Sequence, residues 1–481
     1  MQLETKDYIH FRAGDRAWSG DAFQALPGDY VTFDGDKITQ IRRAKHRIVG
    51  VLELASKVRY GMTTRGSPIY RFTPWNEAYP PFFIGCSSRD NTKNVLAQIE
   101  FVSWDAGSTC PRGNLVRAIG PCGDLAAEET ALLVHADWPR HAVNVGGLSV
   151  PSSPTGHVIE AFHIDPPGCK DVDDAISIIK EGDAVEVHIH IADVASWLNL
   201  NPWLLQSLEA GQTLYRDGAA VRPMFPAELS EGLLSLLKGE ERNVLSLMLK
   251  WDGVTLSEIG WKRQRIRVTE SYTYETASKI PCRDILSSML GTTDPHEWIE
   301  KLMLLYNRTA AARLRAMKAG ILRRHTEPDK AKLEVYRACG FPAERLASSA
   351  GEYCGAAADN VTHWGLECDA YCHATSPIRR AADCYNQMIL MGFPVEADVC
   401  ATLNAAAKRA KSYERDLAFV RVLLSGQKVV DGIAGAGRVW IPAWGRLIKG
   451  EFGNGPVSLA VFCDAGKRNW KRRMVLQKIE G

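Results

Sequence analysis

The sequence predicts a multidomain α+β chain, with one or two small β-barrels near its start, a centre that mixes strands with long helices, and a return to strands at its end. Three observations predict it. Short β-type runs with Gly and Pro turns fill residues 1 to about 150, the pattern of small barrels. Residues 155 to about 415 combine alternating strands with extended helical periodicity. From Val429 onward the pattern returns to strands. At 481 residues, 46% hydrophobic and 24% charged, the chain has room for three or four domains with ample core.

Early strands are expected at Gly28–Phe33, Arg47–Leu52 and Asn114–Ile119, and helical periodicity first appears from Ala126 to His135. Pro151-Ser-Ser-Pro154 reads as a linker. His157 to Ile164 reads as a strand running into an acidic turn. Beyond that turn, Ala175 to Ile179 and then Val185, Val187, Ile189 and Ile191 alternate with polar residues, the period of half-buried strands. Lys180-Glu-Gly-Asp183 between them is a hairpin signal. In His296–Lys318, Ile299, Met303, Tyr306 and Ala310 recur at helical steps. Further helices are expected at Ala382–Met391 and Ala397–Leu424. Arg438–Pro442, Val457–Phe462 and Val475–Lys478 read as closing strands. No internal repeat or low-complexity tract interrupts the chain.

A net charge of +2 means that a polyanionic partner would be met by local charge separation. From Asp431 to Gly481 there are nine Lys or Arg against four Asp or Glu, including Lys467-Arg468-Asn-Trp470-Lys471-Arg472-Arg473. A basic run with an interleaved Trp suits phosphate contact and base stacking; a solvated tail is the plain alternative. Met1-Gln-Leu-Glu-Thr-Lys-Asp is charged, unlike a signal peptide, and no run of about 18 apolar residues suggests a membrane span. An intracellular protein, cytoplasmic or nuclear, is expected. The twelve cysteines are scattered without a Cys-x-x-Cys pair, as free thiols in a reducing compartment would be. His363, Cys368, Cys372 and His373 match no common zinc spacing.

The acidic turn is Asp165-Pro-Pro-Gly-Cys-Lys-Asp171-Val-Asp173-Asp174. Four carboxylates at this density repel one another, and a fold retains them only if a cation or protons neutralise them. An oxygen-only ligand set suits Mg²⁺ or Mn²⁺. A solvated acidic loop is the bland reading, and the strands on both sides count against it. An EF-hand loop fails because Ala175 stands where the third oxygen ligand belongs.

With these residues in place, the sequence resembles the RNB family of exoribonucleases, and most closely the type found as the processive 3′→5′ subunit of the eukaryotic exosome. Ile164-Asp-Pro-Pro-Gly-Cys-Lys-Asp-Val-Asp-Asp-Ala175 is similar to the family's signature. In the family's order there follow His190-Ile-Ala-Asp-Val194, Leu214-Tyr215, Pro223-Met-Phe-Pro226, Leu229-Ser230, Leu302-Met303 with Asn307, Arg323-Arg-His325 and His373-Ala-Thr-Ser-Pro-Ile-Arg-Arg380. Phe72-Thr-Pro74 and Asn114–Asp124 resemble a cold-shock-type OB barrel, and Val439–Gly445 a shortened C-terminal OB barrel. The resemblance implies a truncated N-terminal β segment over 1–45, the cold-shock-type barrel over 46–150, the RNB catalytic domain over 155–424 and a C-terminal RNA-binding barrel over 425–481.

It also implies roles. Asp165, Asp171 and Asp174 would hold Mg²⁺, with Mn²⁺ as the substitute, and Asp173 would serve the hydrolytic step. Arg379 would grip the scissile phosphate, although an Arg closing a helix N-terminus reads similarly. Tyr215 would stack on bases near the cut and Tyr274 would orient the leaving end. His373, Arg380 and Glu414 would contact RNA. His188 and His190, on one strand face, read equally as buried core histidines. Two departures stand out: Ala381-Ala382-Asp383 lacks the Tyr that often follows the arginines, and Ala374 stands where Phe often precedes Thr-Ser-Pro. No endonuclease segment precedes the barrels, so a stand-alone monomer is expected rather than an exosome subunit. The expected function is Mg²⁺-dependent, processive 3′→5′ hydrolysis of single-stranded RNA to 5′-mononucleotides. The alternatives are a catalytically silent RNA clamp and a metal-dependent DNA exonuclease.

Overall fold

The computed structural model describes residues 1–139, 143–181, 184–395, 398–426, 428–464, 467–468 and 470–479. They form two compact units. One comprises Met1–Asp137, Val335–Pro342 and Lys411–Gly481, the other Trp138–Glu334 and Ala343–Ala410. Compactness therefore does not follow the linear boundaries expected from sequence, because 335–342 and 411–424 fall in the first unit.

In the first unit, residues 1–45 form a three-stranded antiparallel sheet (Leu3–Thr5, His10–Ala13, Arg16–Ser19) and a hairpin (Tyr30–Asp34 with Lys37–Arg42). Their apolar positions alternate inward, and Leu3, Phe11, Ala13 and Val31 share a small core. A closed barrel follows, built from Arg47–Leu52, Ile69–Pro74, Phe82–Gly85, Val95–Ser103 and Arg112–Pro121. Ile48, Phe72, Phe82, Ile84 and Ile99 fill it. Gly50 is obligatory there, since a Cβ at that position would lie 2.2 Å from the Thr73 carbonyl oxygen. The helix Leu125–His135 starts where Asp124 accepts a bond from the Ala127 N–H at 2.9 Å.

The C-terminal strands form a five-stranded antiparallel sheet in the order Arg446–Lys449, Arg438–Ile441, Val429–Gly435, Gly455–Cys463, Met474–Lys478. Among the described residues its ladder does not close into a barrel. The expected basic run lies partly outside the described residues, at Asn469.

The second unit is built on a barrel the sequence reading expected only as a sheet. Ile159–Ile164, Asp174–Glu181, Ala184–Ala192, Glu241–Trp251 and Leu256–Tyr272 form an antiparallel meander, closed by parallel pairing of the first and last strands. The expected hairpin turn at Lys180–Asp183 lies partly outside the described residues. One strand face carries Ile176, Val187, Ile189, Ile191, Leu245 and Leu247, packed with Trp298, Leu302, Tyr306 and Leu314 from the helix Pro295–Met317. Each such buried side chain is worth roughly 1.5–3 kcal/mol. The other face is polar yet buried: His190 bridges Ser246 at 2.7 Å and Ser177 at 2.8 Å. It is a satisfied core histidine, as one of the sequence readings allowed.

The helix Pro295–Met317 opens with Asp294 as cap and Pro295 in the first turn, and it stops at Lys318, whose φ is +51°. Helices also occupy Ala381–Leu390 and Cys400–Leu424; the expected start of the last, at Ala397, lies outside the described residues. The sequence reading missed the short helices Val194–Leu200, Arg283–Leu290 and Lys330–Ala338. No helix among the described residues is long and apolar enough to cross a membrane.

Candidate active site

Barrel closure sets the site. The strand Ile159–Ile164 runs into the acidic turn, and the strand Asp174–Glu181 leaves it. Asp165 and Asp174 therefore sit at the ends of two paired strands. The turn is itself pinned: the Val172 N–H donates to Ser235 Oγ at 2.9 Å, and that hydroxyl donates to the Lys170 carbonyl at 2.7 Å. Gly168 takes φ +79°, which a glycine adopts without penalty.

The opposite wall is the segment Tyr371–Arg380. Asn307, on the long helix, holds it: Oδ1 accepts the Ala374 N–H at 2.8 Å, while Nδ2 donates to Tyr371 Oη at 3.1 Å and Thr375 Oγ1 at 3.3 Å. Asp383, fully buried in the first turn of the helix Ala381–Leu390, accepts the Ser376 N–H at 2.7 Å and Arg380 Nη2 at 2.9 Å.

The two walls meet at Asp173, which is 4% exposed. Its Oδ1 accepts the Ile378 N–H at 2.8 Å and its Oδ2 accepts Arg379 Nε at 3.2 Å. Burial pushes this carboxyl up to about 7, against the lowering by Arg379 and the Ile378 N–H. Arg379 also donates from Nη2 to Ser376 Oγ at 2.9 Å. Burial opposes its charge, but Asp173 and neighbouring groups outweigh that and hold its pKa above the ordinary value.

Between the walls lies a cavity of about 820 Å³. Asp165, Asp171, Asp173 and Asp174 line it, as do Tyr215, Tyr274, Arg379 and Arg380. Tyr215 Oη donates to Asp171 Oδ2, and burial leads the causes that raise its phenol pKa. Tyr274 lies flat on His296, with ring centroids 3.7 Å apart and planes at 13°. Arg380 reaches the cavity wall, yet its guanidinium is tied to Asp383. His373 is not among the lining residues. Its Nδ1 lies 2.9 Å from Tyr353 Oη, and burial, then nearby arginines, keep its pKa well below the ordinary value. Glu414 is exposed and belongs to the other unit.

Sequence reasoning missed three supports. Asp383 was visible only as part of a departing motif, three residues after Arg380. His296 gave no signal beyond its place in the first helical turn. His163, two residues before Asp165, could have been found from strand alternation, which puts residues i and i+2 on one face.

Fitness for a cation rests on the same carboxylates. Burial, then the charges of Asp165 and Asp173, hold the Asp174 carboxyl well above its ordinary pKa. Such repulsion is what a cation relieves. Among the described residues no three His, Cys, Asp or Glu side chains form a metal-holding group. Mg²⁺ usually needs only one or two carboxylates, with waters and substrate phosphates completing its shell. Asp165, which His163 contacts through Oδ2, and Asp174 fit that role, whereas Asp171 accepts from Tyr215 and Asp173 accepts on both oxygens.

Residues 157–287 and 346–394 match the family model of the RNB domain. Residues 69–137 match the Dis3-like cold-shock domain 2. The chain is similar to the human exosome complex exonuclease RRP44, 23% identical over 487 residues covering 77% of this chain and 51% of the relative. It is also similar to the probable exosome complex exonuclease RRP44 of Caenorhabditis elegans, 24% identical over 449 residues covering 70% and 46%. The chain thus spans about half the length of these curated relatives. Among solved structures, Mycoplasma genitalium RNase R in complex with ribose methylated single-stranded RNA matches with a TM-score of 0.74, at 17% identity and over 99% of both chains. Yeast Ssd1, a pseudonuclease, matches with a TM-score of 0.59, at 15% identity, over 90% of this chain and 68% of that one.

Proposed function

We propose that this chain, which carries an RNB domain and a Dis3-like cold-shock domain, is a divalent-metal-dependent 3′→5′ exoribonuclease that releases 5′-mononucleotides processively from single-stranded RNA. The observation that carries the reading is the interlock of Asp173 with Arg379 in a cavity that also holds Asp165, Asp171 and Asp174. The 3′→5′ direction and processive action are what the resemblance of the sequence motifs to the RNB exoribonucleases implies. On this reading residues 46–150 are a cold-shock-type RNA-binding barrel, 155–424 the catalytic domain and 425–481 a further RNA-binding segment.

In the mechanism, a guanidinium has five N–H donors, and the bonds to Asp173 and Ser376 use two. Those bonds fix its plane, so Arg379 meets the scissile phosphate in a preset orientation suited to paired N–H···O contacts. Asp165 and Asp174 would hold the Mg²⁺ or Mn²⁺. When bound, such an ion lowers the pKa of a water and neutralises charge on the phosphate oxygens. Asp173 keeps Arg379 in place through its Oδ2 and is held in turn by the Ile378 N–H at its Oδ1. Tyr215 and Tyr274 line the cavity as stacking surfaces for bases beside the cut. Arg380 acts mainly through Asp383, as a brace for the Ser376 segment.

One observation favours a second reading, an RNA clamp without catalysis: Asp171 and Asp173 are already engaged by protein donors, and a pseudonuclease shares the fold. The experiment incubates 5′-labelled single-stranded RNA or DNA with Mg²⁺ and compares the wild type with Asp173→Asn. The expected outcome is shortening of RNA to small end products, not of DNA, with a loss of at least about a thousandfold in the variant. Tight RNA binding without shortening by the wild type gives the clamp; equal shortening of DNA gives the DNA exonuclease.

A further inference from the structure

We propose that His163 is the positioning residue for Asp165, fixing the carboxylate in the orientation with which it receives a divalent cation. The proposal rests on the reading that Asp165 and Asp174 hold that ion. His163 lies on the strand Ile159–Ile164, whose end pairs in parallel with the end of the strand Leu256–Tyr272, His163 opposite Ser271 and Ile164 opposite Tyr272. The Asp165 N–H continues that ladder and donates to the Tyr272 carbonyl at 3.1 Å. The Asp165 backbone is therefore fixed by the barrel, and only its side-chain torsions remain to be set.

Strand alternation sends Ile164 into the core on one face, where it is buried, and brings His163 and Asp165 together on the other. The His163 side chain is 7% exposed and its Nδ1 lies 2.8 Å from Asp165 Oδ2. With the carboxylate ionised, Nδ1–H donates. The ring is walled in while Asp165 lines the cavity; His163 itself does not line it. It has no route to RNA or to a reacting atom, so any effect it has must pass through Asp165. A donor bond on one oxygen sets the carboxyl's rotation, and so which lone pairs are presented to the cavity. Hydrogen bonds of this kind around a metal-holding group commonly set affinity within a factor of 10–100.

The test uses the full chain and Mn²⁺ alone as probe, with affinity read from free Mn²⁺ by electron paramagnetic resonance in the absence of RNA. His163→Leu keeps the bulk and removes the donor; His163→Asn keeps a donor near the Nδ1 position. Expected is a 10- to 100-fold weaker Mn²⁺ affinity for the Leu variant, affinity within about threefold of wild type for the Asn variant, and unchanged binding of single-stranded RNA without metal. Wild-type Mn²⁺ affinity in a folded Leu variant overturns the proposal. Should the Leu variant not fold, ¹⁵N-histidine-labelled wild type decides. The His163 ring signal, assigned by its absence from the Asn variant, shifts with Mg²⁺ at the binding midpoint, and its failure to shift overturns the proposal. Asp165→Asn separates the two readings. If it binds Mn²⁺ as wild type does, the assignment of the cation site falls; if it loses Mn²⁺ while His163→Leu does not, only the role of His163 falls.

Discussion

Arg379 occupies a position that lysine cannot fill. Its Nε contacts Asp173, its Nη2 contacts Ser376, and its backbone carbonyl accepts the Thr213 N–H at 2.9 Å. An ammonium is a point charge without this fork, so Arg379→Lys keeps the positive charge but loses the fixed plane. Turnover on single-stranded RNA is expected to fall roughly 10²–10³-fold, the usual cost of losing a preorganised donor to developing charge. The Km should change much less, because RNA contacts outside the cut persist. A change confined to Km would contradict this role. At this scale the sequence was partly legible. Asp165, Asp171, Asp173, Asp174, Tyr215, Tyr274 and Arg379 all reach one cavity. His373 does not, because short motifs specify neighbours along the chain but not which way a side chain turns once packed.

The barrel of the second unit has one apolar strand face and one buried polar face, and the polar face makes a pH prediction. Burial, then the neighbouring His188, depress the His190 pKa from 6.5 to about 3. The unfolded chain takes up a proton near pH 6.5 that the folded chain refuses until about pH 3. Stability from this group is therefore complete above pH 6.5 and is lost as pH falls, by at most about 1.4 kcal/mol per pH unit. Urea unfolding midpoints measured between pH 7 and 4.5 should fall more steeply for the wild type than for a folded His190→Asn variant. Identical slopes would contradict the buried, neutral state. The alternation of Ile176, Val187, Ile189 and Ile191 made these strands readable, since period two is written in the residues themselves. Closure into a barrel was not readable. It depends on parallel pairing between Ile159–Ile164 and Leu256–Tyr272, about a hundred residues apart, and no local pattern encodes that partner.

At the scale of the molecule, the chain crosses between its compact units more often than its sequence suggests, with 335–342 and 411–424 assigned to the first. The cavity that holds the four aspartates is nevertheless lined within the second unit alone. A ligand that binds only the folded state stabilises it by about 2.7 kcal/mol at a hundred times its dissociation constant. Saturating Mg²⁺ should therefore raise the urea midpoint of the wild type and leave that of Asp174→Asn unchanged. An equal gain in both would place the ion elsewhere.

The sequence by itself determined the candidate residues and the order of its parts: a carboxylate-dense turn between strands, an arginine-bearing segment about two hundred residues later, and β-rich segments at both ends. These follow from local charge, turn residues and periodicity, which the chain carries wherever it folds. Only the tertiary structure decided which groups reach each carboxylate. Long-range packing gives Asp173 to Arg379 and Ile378 and Asp171 to Tyr215, while strand alternation gives Asp165 to His163. Of these four partners only His163 is near in sequence, and even there the contact depends on a strand whose direction the barrel fixes. A carboxylate's role depends on which donors reach it and how much water is left around it, and both are set when distant segments close on one cavity.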